Sequence, residues 1–374
     1  MSESLYLSEV ALLGVVMLWF TRRQWVMQLQ ILGWMFLVTV IMVRYGIEDQ
    51  QNFYSNDQQY HVTLVKGILA DGLPYDLGWW LSSVRLPYTA PATVLTAIGV
   101  EPLLSLKFVS LLALLATTSL IRRLVPDTSI SGALVSLYLT ATALIGTFFA
   151  SLGLRETTMM FLVLMFFAGT SSVVKLSALT GLVLLRPHLA VAVLCGALIA
   201  LVLRRIQRSS SSTPLTNFIS IASAPLLGYF LYSVGLQLRS EVSGIYGHSW
   251  GISPVLRIAS NYIGLQFLTV RESTVEFSIT SLLLLRLVLS ETVIIPLLFT
   301  ILVLLAQRRS SLTQSVMWSF GIYVGIITNT DFNSFRQNIP FMPVMGLVVL
   351  LAWNEHRGSR SKVETLAVTA QRER

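Results

Sequence analysis

The sequence contains little charge. Asp, Glu, Lys and Arg make up only 12% of its 374 residues, against about 25% in ordinary soluble domains. Its single cysteine, Cys195, lies in an apolar run, so a disulfide framework is excluded. It has four histidines and no His/Cys cluster at metal-ligand spacing, which argues against a zinc hydrolase. The sequence also lacks a Walker loop, which argues against ATP-driven transport.

The sequence consists largely of long apolar runs. Hydrophobic residues form 54% of the chain and the mean hydropathy is +0.71. Runs of roughly 17–22 residues can cross a hydrocarbon core of about 30 Å as helices, and lipid requires that backbone groups be bonded internally. The runs lie near residues 5–20, 28–43, 103–121, 130–150, 157–170, 175–187, 189–203, 217–237, 284–305, 313–329 and 337–353. We predict an all-α, polytopic transmembrane helical bundle of about eleven spans over residues 1–353.

The pair of runs at 175–187 and 189–203 is broken at Arg186-Pro187. It forms either two short spans or a re-entrant hairpin, because proline ends a helix and irregular backbone is tolerated only inside protein.

The basic residues predict the orientation. Most of the 26 lysines and arginines fall on alternate connections and in the polar tail, residues 354–374. Such links are cytoplasmic. We therefore predict a multi-pass protein of the plasma (inner) membrane with an external N-terminus and a cytoplasmic C-terminus. The net charge of +8 is then a topology signal, and no nucleic-acid partner is expected.

One polar stretch interrupts the apolar runs. Residues 44–102 form the first external loop and 238–283 the second. Within the first loop we predict an interfacial helix capped by Asn56 or Asp57. Its apolar residues Tyr60, Leu64 and Ile68 follow at helical spacing, and Gly72-Leu73-Pro74 ends it.

The order of motifs resembles the GT-C superfamily of integral-membrane glycosyltransferases, including the protein-mannosyl and lipid A aminoarabinose transferases. The resemblance covers residues 44 to 353. Its pieces are Asp49 or Asp57, Asp57-Gln58-Gln59-Tyr60, Gly72-Leu73-Pro74-Tyr75, Leu86-Pro87-Tyr88, Arg122-Arg123, Leu154-Arg155-Glu156 and the final FRQNIPFMPVMGLVVLLAW. The chain departs from the family in having two runs, rather than one, before the acidic loop.

The resemblance implies a sugar donor linked to polyprenyl phosphate, an acceptor that is a glycan, lipid or protein, and contact with membrane lipids. The implied catalytic candidates are Asp57, first choice for the general base, then Asp49, and Glu156 as a second carboxylate for acceptor orientation or metal. The implied substrate-binding candidates are Arg85, Arg155, Arg186, His188, Arg336, Tyr60 and Tyr88. Arginines at the membrane edge suit bidentate contacts with a donor phosphate. No cofactor is predicted apart from the open alternative of a divalent metal ion.

Structural roles compete with each of these assignments. Asp57 is also a favoured helix cap, Arg155 and Glu156 also form a plausible interfacial ion pair, and Arg186 is long enough to snorkel. Trp79 and Trp80 suit either sugar stacking or an aromatic belt. The competing functions are an O-antigen or exopolysaccharide polymerase, which uses a lipid diphosphate donor, and a transporter or lipid flippase, which predicts mid-membrane acids and an internal repeat.

Overall fold

The structure, a computed structural model, describes residues 2–50, 56–72, 84–124, 145–207, 223–231, 311–328 and 338–351. Within these ranges the chain is helical and has no strand, which confirms the all-α prediction. The helices are α1 (Glu3–Phe20), α2 (Trp25–Asp49), α3 (Asn56–Asp71), α4 (Leu86–Ala97), α5 (Pro102–Leu124), α6 (Glu156–Ala168), α7 (Ser172–Leu185), α8 (Pro187–Gln207), α9 (Ser311–Thr328) and α10 (Ile339–Leu351). Residues 145–152 and 223–231 are also helical.

Four of these helices are long and apolar enough to cross a membrane. The candidate spans are Glu3–Phe20, Trp25–Ile47, Pro102–Leu124 and Pro187–Arg205. Helices α6, α7, α9 and α10 are apolar but shorter over their described lengths. The part of the chain that is described thus has the helices of a membrane protein. The number of about eleven spans, the GT-C arrangement, the choice of membrane and the orientation stay predictions.

Several predicted features lie outside the described residues. They are the run at 284–305, most of the run at 130–150, the ends of the run at 217–237, Trp79, Trp80, Arg336, the loop 238–283 and the tail 354–374. The side chains of Glu48, Asp49 and Asn56 also lie outside the description.

The predicted break before Pro187 is confirmed. Helix α7 ends at Leu185, and Arg186 has extended backbone angles (φ −161°, ψ 86°) before α8 begins at Pro187. A residue that precedes proline avoids the α region, and proline suits the first position of a helix because its missing N–H has no intrahelical partner there. The pair therefore consists of one short helix and one that is long enough to span.

Helix α5 is the centre of the described bundle. It packs against α2, α3, α4 and α6, and its side chains are buried on nearly all sides. Helices α8 and α9 form the other close pair, with the backbone of Ser319 directly against Gly196. Small residues let helices approach to this distance in lipid, where packing and hydrogen bonds replace the hydrophobic effect.

Helix α3 confirms the predicted helix in the first loop, and Gly72 ends it with φ +76°. The apolar residues Tyr60, Leu64 and Ile68, which follow at helical spacing, do not form the buried face of this helix. Tyr60 is 41% exposed, while Leu64 and Ile68 are half-buried. The buried face is instead Gln58, His61, Val62 and Val65, at the same helical spacing but including two polar residues. These polar side chains are buried because each has a hydrogen-bond partner, as described below. The described helix begins at Asn56, one of the two predicted capping residues, and Asp57 lies in its first turn.

Candidate functional site

Residues 152–155 form a turn on which three helices converge. The turn ends the helix over 145–152 with two backbone bonds, from Gly153 N to Ala150 O (3.1 Å) and from Leu154 N to Phe149 O (3.3 Å). This pair of bonds is the Schellman motif, which requires a residue with positive φ, usually glycine. Gly153 meets that need with φ +68°.

The carbonyl groups of this turn accept hydrogen bonds from three different helices. The donors and acceptors are Gln58 Nε2 of α3 to Leu152 O, Tyr88 Oη of α4 to Gly153 O, and Ser110 Oγ of α5 to Leu154 O (2.9 Å). All three donor residues are fully buried. Carbonyl groups at a helix end have no intrahelical partner, so buried side chains satisfy them here. The turn therefore fixes α3, α4 and α5 relative to the start of α6.

Arg85 lies beside this convergence in an unusual conformation. It precedes α4 with φ +56° and ψ +43°, and it is the one non-glycine residue with positive φ in the described chain. Such backbone costs a non-glycine residue roughly 1–2 kcal/mol and clusters at functional sites. Arg85 Nη1 donates to His61 Nε2, and its guanidinium carbon lies 4.8 Å from the centre of the Tyr60 ring.

His61 links Arg85 to the turn. Its ring is fully buried and packs edge-to-face on Tyr88, with 5.1 Å between the ring centres. Because Nε2 accepts from Arg85, the ring carries its proton on Nδ1. Predicted residues Tyr60, Arg85 and Tyr88 are thus brought together around His61, which was not among the predicted site residues.

A second basic group includes Arg155, the last residue of the turn. Arg155 Nη1 donates to Leu185 O (3.1 Å), and Arg186 Nε donates to His188 Nε2 (2.8 Å). The His188 ring is parallel to Tyr323 of α9, with 6.1 Å between centres and 6° between planes. The Arg186 guanidinium also faces Tyr323, at 6.0 Å. Predicted residues Arg155, Arg186 and His188 are therefore brought together, and Tyr323 completes the group.

The carboxylates differ in exposure. Glu156 is the first residue of α6 and is 1% exposed, a position that the partial positive charge of a helix N-terminus favours. Asp57 is half-buried in the first turn of α3, next to Gln58. Asp49 is the last residue of α2. Among the described residues no group of three His, Cys, Asp or Glu side chains could hold a metal ion.

Glu101 lies just before α5, outside the membrane-spanning segment. Burial raises the pKa of its carboxyl group above the ordinary value of 4.5. The backbone N–H groups of Leu104 and Leu103 and the charges of Lys107 and Lys66 act in the opposite direction. Glu101 Oε2 accepts from Leu104 N at 2.7 Å, which is a hydrogen bond that satisfies the N-terminus of α5.

Pairs of basic residues lie at the ends of three helices. The pairs Arg22-Arg23, Arg122-Arg123 and Arg204-Arg205 lie before α2, in the last turn of α5 and in the last turn of α8. These pairs are among the basic residues from which the orientation was predicted, and the orientation stays a prediction.

Sequence reasoning missed the neutral residues of this region. Gln58 and Ser110 bond the turn at 152–155, and Tyr323 contacts the His188 ring. No sequence motif predicts these contacts. The spacing of Gln58, His61, Val62 and Val65 carried a signal, because it matches a helical face when polar residues are allowed on it. Comparisons of the chain with family models, with curated proteins and with solved structures found no match.

Proposed function

We propose that this protein is a membrane glycosyltransferase. It transfers a sugar from a polyprenyl-phosphate-linked donor to a glycan, lipid or protein acceptor on the external face of the plasma membrane. The proposal rests on the residue pattern of the first loop and on one observation. Arg85 is connected through His61 and Tyr88 to the turn at 152–155, and Arg155 of the same turn bonds Leu185, the residue before Arg186.

The arginines supply the chemistry that a lipid phosphate needs. Their planar guanidinium groups match phosphate geometry, and contacts with histidine and tyrosine rings hold Arg85 and Arg186 in place before any ligand arrives. Donors that are already oriented stabilise the charge that develops on a leaving phosphate without further reorganisation. Helix ends that sit at the bilayer edge are where the phosphate of an embedded lipid is found.

Asp57 and Glu156, the two candidate catalytic carboxylates whose side chains are described, differ in solvent exposure. A general base must come within hydrogen-bond reach of the acceptor hydroxyl. The half-buried Asp57 meets that requirement better than Glu156, which is 1% exposed. We therefore assign the base to Asp57 and acceptor orientation to Glu156. Asp49, at the end of α2, is the second choice for the base.

The experiment compares two aspartates of the same helix. Asp57→Asn should abolish sugar transfer in membranes, because the amide cannot accept the proton. Asp71→Asn, at the exposed end of α3, is the matched control and should leave transfer unchanged. The measurement is transfer of labelled sugar from polyprenyl monophosphate donors, with equal expression checked by size-exclusion chromatography.

Three results would contradict the proposal in different ways. Wild-type turnover in the Asp57→Asn variant removes Asp57 from the mechanism. Transfer of an oligosaccharide from a lipid diphosphate donor in a parallel assay, with no transfer from the monophosphate donor, supports the polymerase alternative. Movement of an intact lipid-linked sugar across the membrane, without transfer, supports the flippase alternative.

A further inference from the structure

Lys107 is a fully buried cation inside the membrane-spanning helix α5. Its ammonium group donates to Gln50 Oε1 at 2.7 Å and to Tyr6 Oη at 3.3 Å. Tyr6 Oη in turn donates to Gln50 Oε1 at 3.3 Å. Both hydrogen-bond partners of the ammonium are neutral. Glu101 interacts with Lys107 electrostatically and does not form a hydrogen bond with it. The three side chains tie α1, the end of α2 and α5 together.

A buried lysine in this position needs an explanation. Taking a charge out of water is costly unless hydrogen bonds compensate, and ionisable residues within membrane helices are functional by default. A methionine or leucine would fill the same volume without that cost. What the lysine adds is a directed bond to Gln50, and that bond matters because of the local geometry of α2.

The end of α2 is not held by regular helical geometry. Gly46 has φ +73° and ψ +179°, which are not helical angles, so the residues that follow take a new direction. Gln50 holds the chain in that direction, since its Nε2 donates to Ile47 O at 3.2 Å while its Oε1 accepts from Lys107. The acidic residues Glu48 and Asp49 lie between Ile47 and Gln50, the two residues that this hydrogen bond joins.

Lys107 also contacts the turn at 152–155, which carries Arg155. A Cβ atom at Gly153 would lie 3.0 Å from Lys107 Cγ and 3.2 Å from Lys107 N. One residue therefore touches the turn with its stem and holds the end of α2 with its ammonium group.

We propose that Lys107 is a positioning residue that sets the acidic end of α2, residues 48–49, relative to the turn at 152–155. This inference rests on the proposed function for its catalytic consequence. The positioning itself is a property of the folded chain and is tested without any substrate.

The test measures a distance between two spin labels. In a Cys195→Ser background, labels are attached at Glu48→Cys and at Val94→Cys, the latter 64% exposed on α4. Double electron–electron resonance in nanodiscs should give one narrow distance population with Lys107 present. Lys107→Met should lose that single population in favour of a broad one.

The matched control breaks another buried hydrogen bond between α2 and α5. Gln30 Nε2 donates to Thr118 Oγ1 at 2.8 Å, and Gln30→Leu removes this bond while leaving Lys107 and Gln50 intact. It should keep the narrow population. A narrow population in Lys107→Met, or equal broadening in Gln30→Leu, would overturn the inference.

Two further measurements cover folding and catalysis. If Lys107→Met fails to fold, the variant Lys107→Met/Gln50→Leu/Tyr6→Phe removes all three polar side chains of the network. Buried sites tolerate such a replacement because none of these side chains is left unpaired, and this variant too should lose the narrow population. In transfer assays Lys107→Met should leave kcat unchanged if Asp57 is the base. If Asp49, the second choice, is the base, kcat should fall by roughly tenfold to a hundredfold with KM unchanged, the effect of a small misplacement of a reacting group. Absence of transfer in the wild-type protein would refute the proposed function, and the spin-label distances would still decide the role of Lys107.

Discussion

Replacing Gly153 by alanine tests the turn on which the candidate site depends. Gly153 has φ +68°, where an L-residue costs roughly 1–2 kcal/mol more than glycine. The added Cβ would also meet Lys107 Cγ at 3.0 Å and Lys107 N at 3.2 Å. The second contact is with backbone, which cannot move without shifting α5. Overpacking of this kind costs typically 1–3 kcal/mol, so we expect Gly153→Ala to lower the free energy of unfolding by about 2–5 kcal/mol.

Gly72 provides a control for the backbone effect alone. Its φ is +76°, close to that of Gly153, and a Cβ there would meet no atom within 4 Å among the described residues. Gly72→Ala should therefore cost only the conformational part, about 1–2 kcal/mol. The difference between the two variants isolates the crowding against Lys107.

The assay is chemical unfolding in mixed micelles, followed by tryptophan fluorescence, which the eight tryptophans of the chain make sensitive. A larger loss of unfolding free energy for Gly153→Ala than for Gly72→Ala is the expected result. Equal losses for the two variants would refute the close approach of Lys107 to the turn, and with it the packing that joins α5 to the candidate site.

Two further predictions concern charge. Arg186→Ala should weaken binding of polyprenyl phosphate in nanodiscs by roughly tenfold to a hundredfold, the loss of one charged hydrogen bond, whereas Arg204→Ala at the far end of α8 should not; equal affinities for both variants contradict the phosphate role. Because the pKa of Glu101 is raised above 4.5, the folded chain binds more protons than the unfolded chain between 4.5 and the folded-state pKa, so the free energy of unfolding falls as the pH rises through that window. Glu101→Gln keeps an acceptor for the Leu104 N–H and should remove this fall, and a variant whose pH profile parallels that of the wild-type protein would contradict the assignment.

Helix positions could be predicted from the sequence because membrane helices carry long apolar runs and clear breaks. Pro187 and Gly72 end or begin helices where their backbone preferences require it. The number of spans is harder to predict, because α6 and α7 are apolar and yet short. Apolar composition alone does not distinguish such helices from full spans.

The candidate site could be predicted only in part. The arginines stood out because charge is scarce in this chain, and the structure groups Arg85 with Tyr60 and Tyr88, and Arg155 with Arg186 and His188. The buried face of α3 was not predicted, because a search for apolar residues passes over Gln58 and His61. Burial of these side chains depends on acceptors and donors more than twenty residues away in the chain, which no local pattern reveals.

The lengths of α6 and α7 have a consequence for the lipid around them. At about 1.5 Å per residue, helices of 13 and 14 residues reach about 20 Å, some 10 Å less than the hydrocarbon core of a typical bilayer. If α6 and α7 cross the membrane as the sequence predicts, thinning of the bilayer beside them accommodates a hydrophobic mismatch of this size. The bilayer surface should therefore dip where Arg155 and Arg186 lie, so that an amphiphile can present its headgroup to them while its chains stay in the membrane.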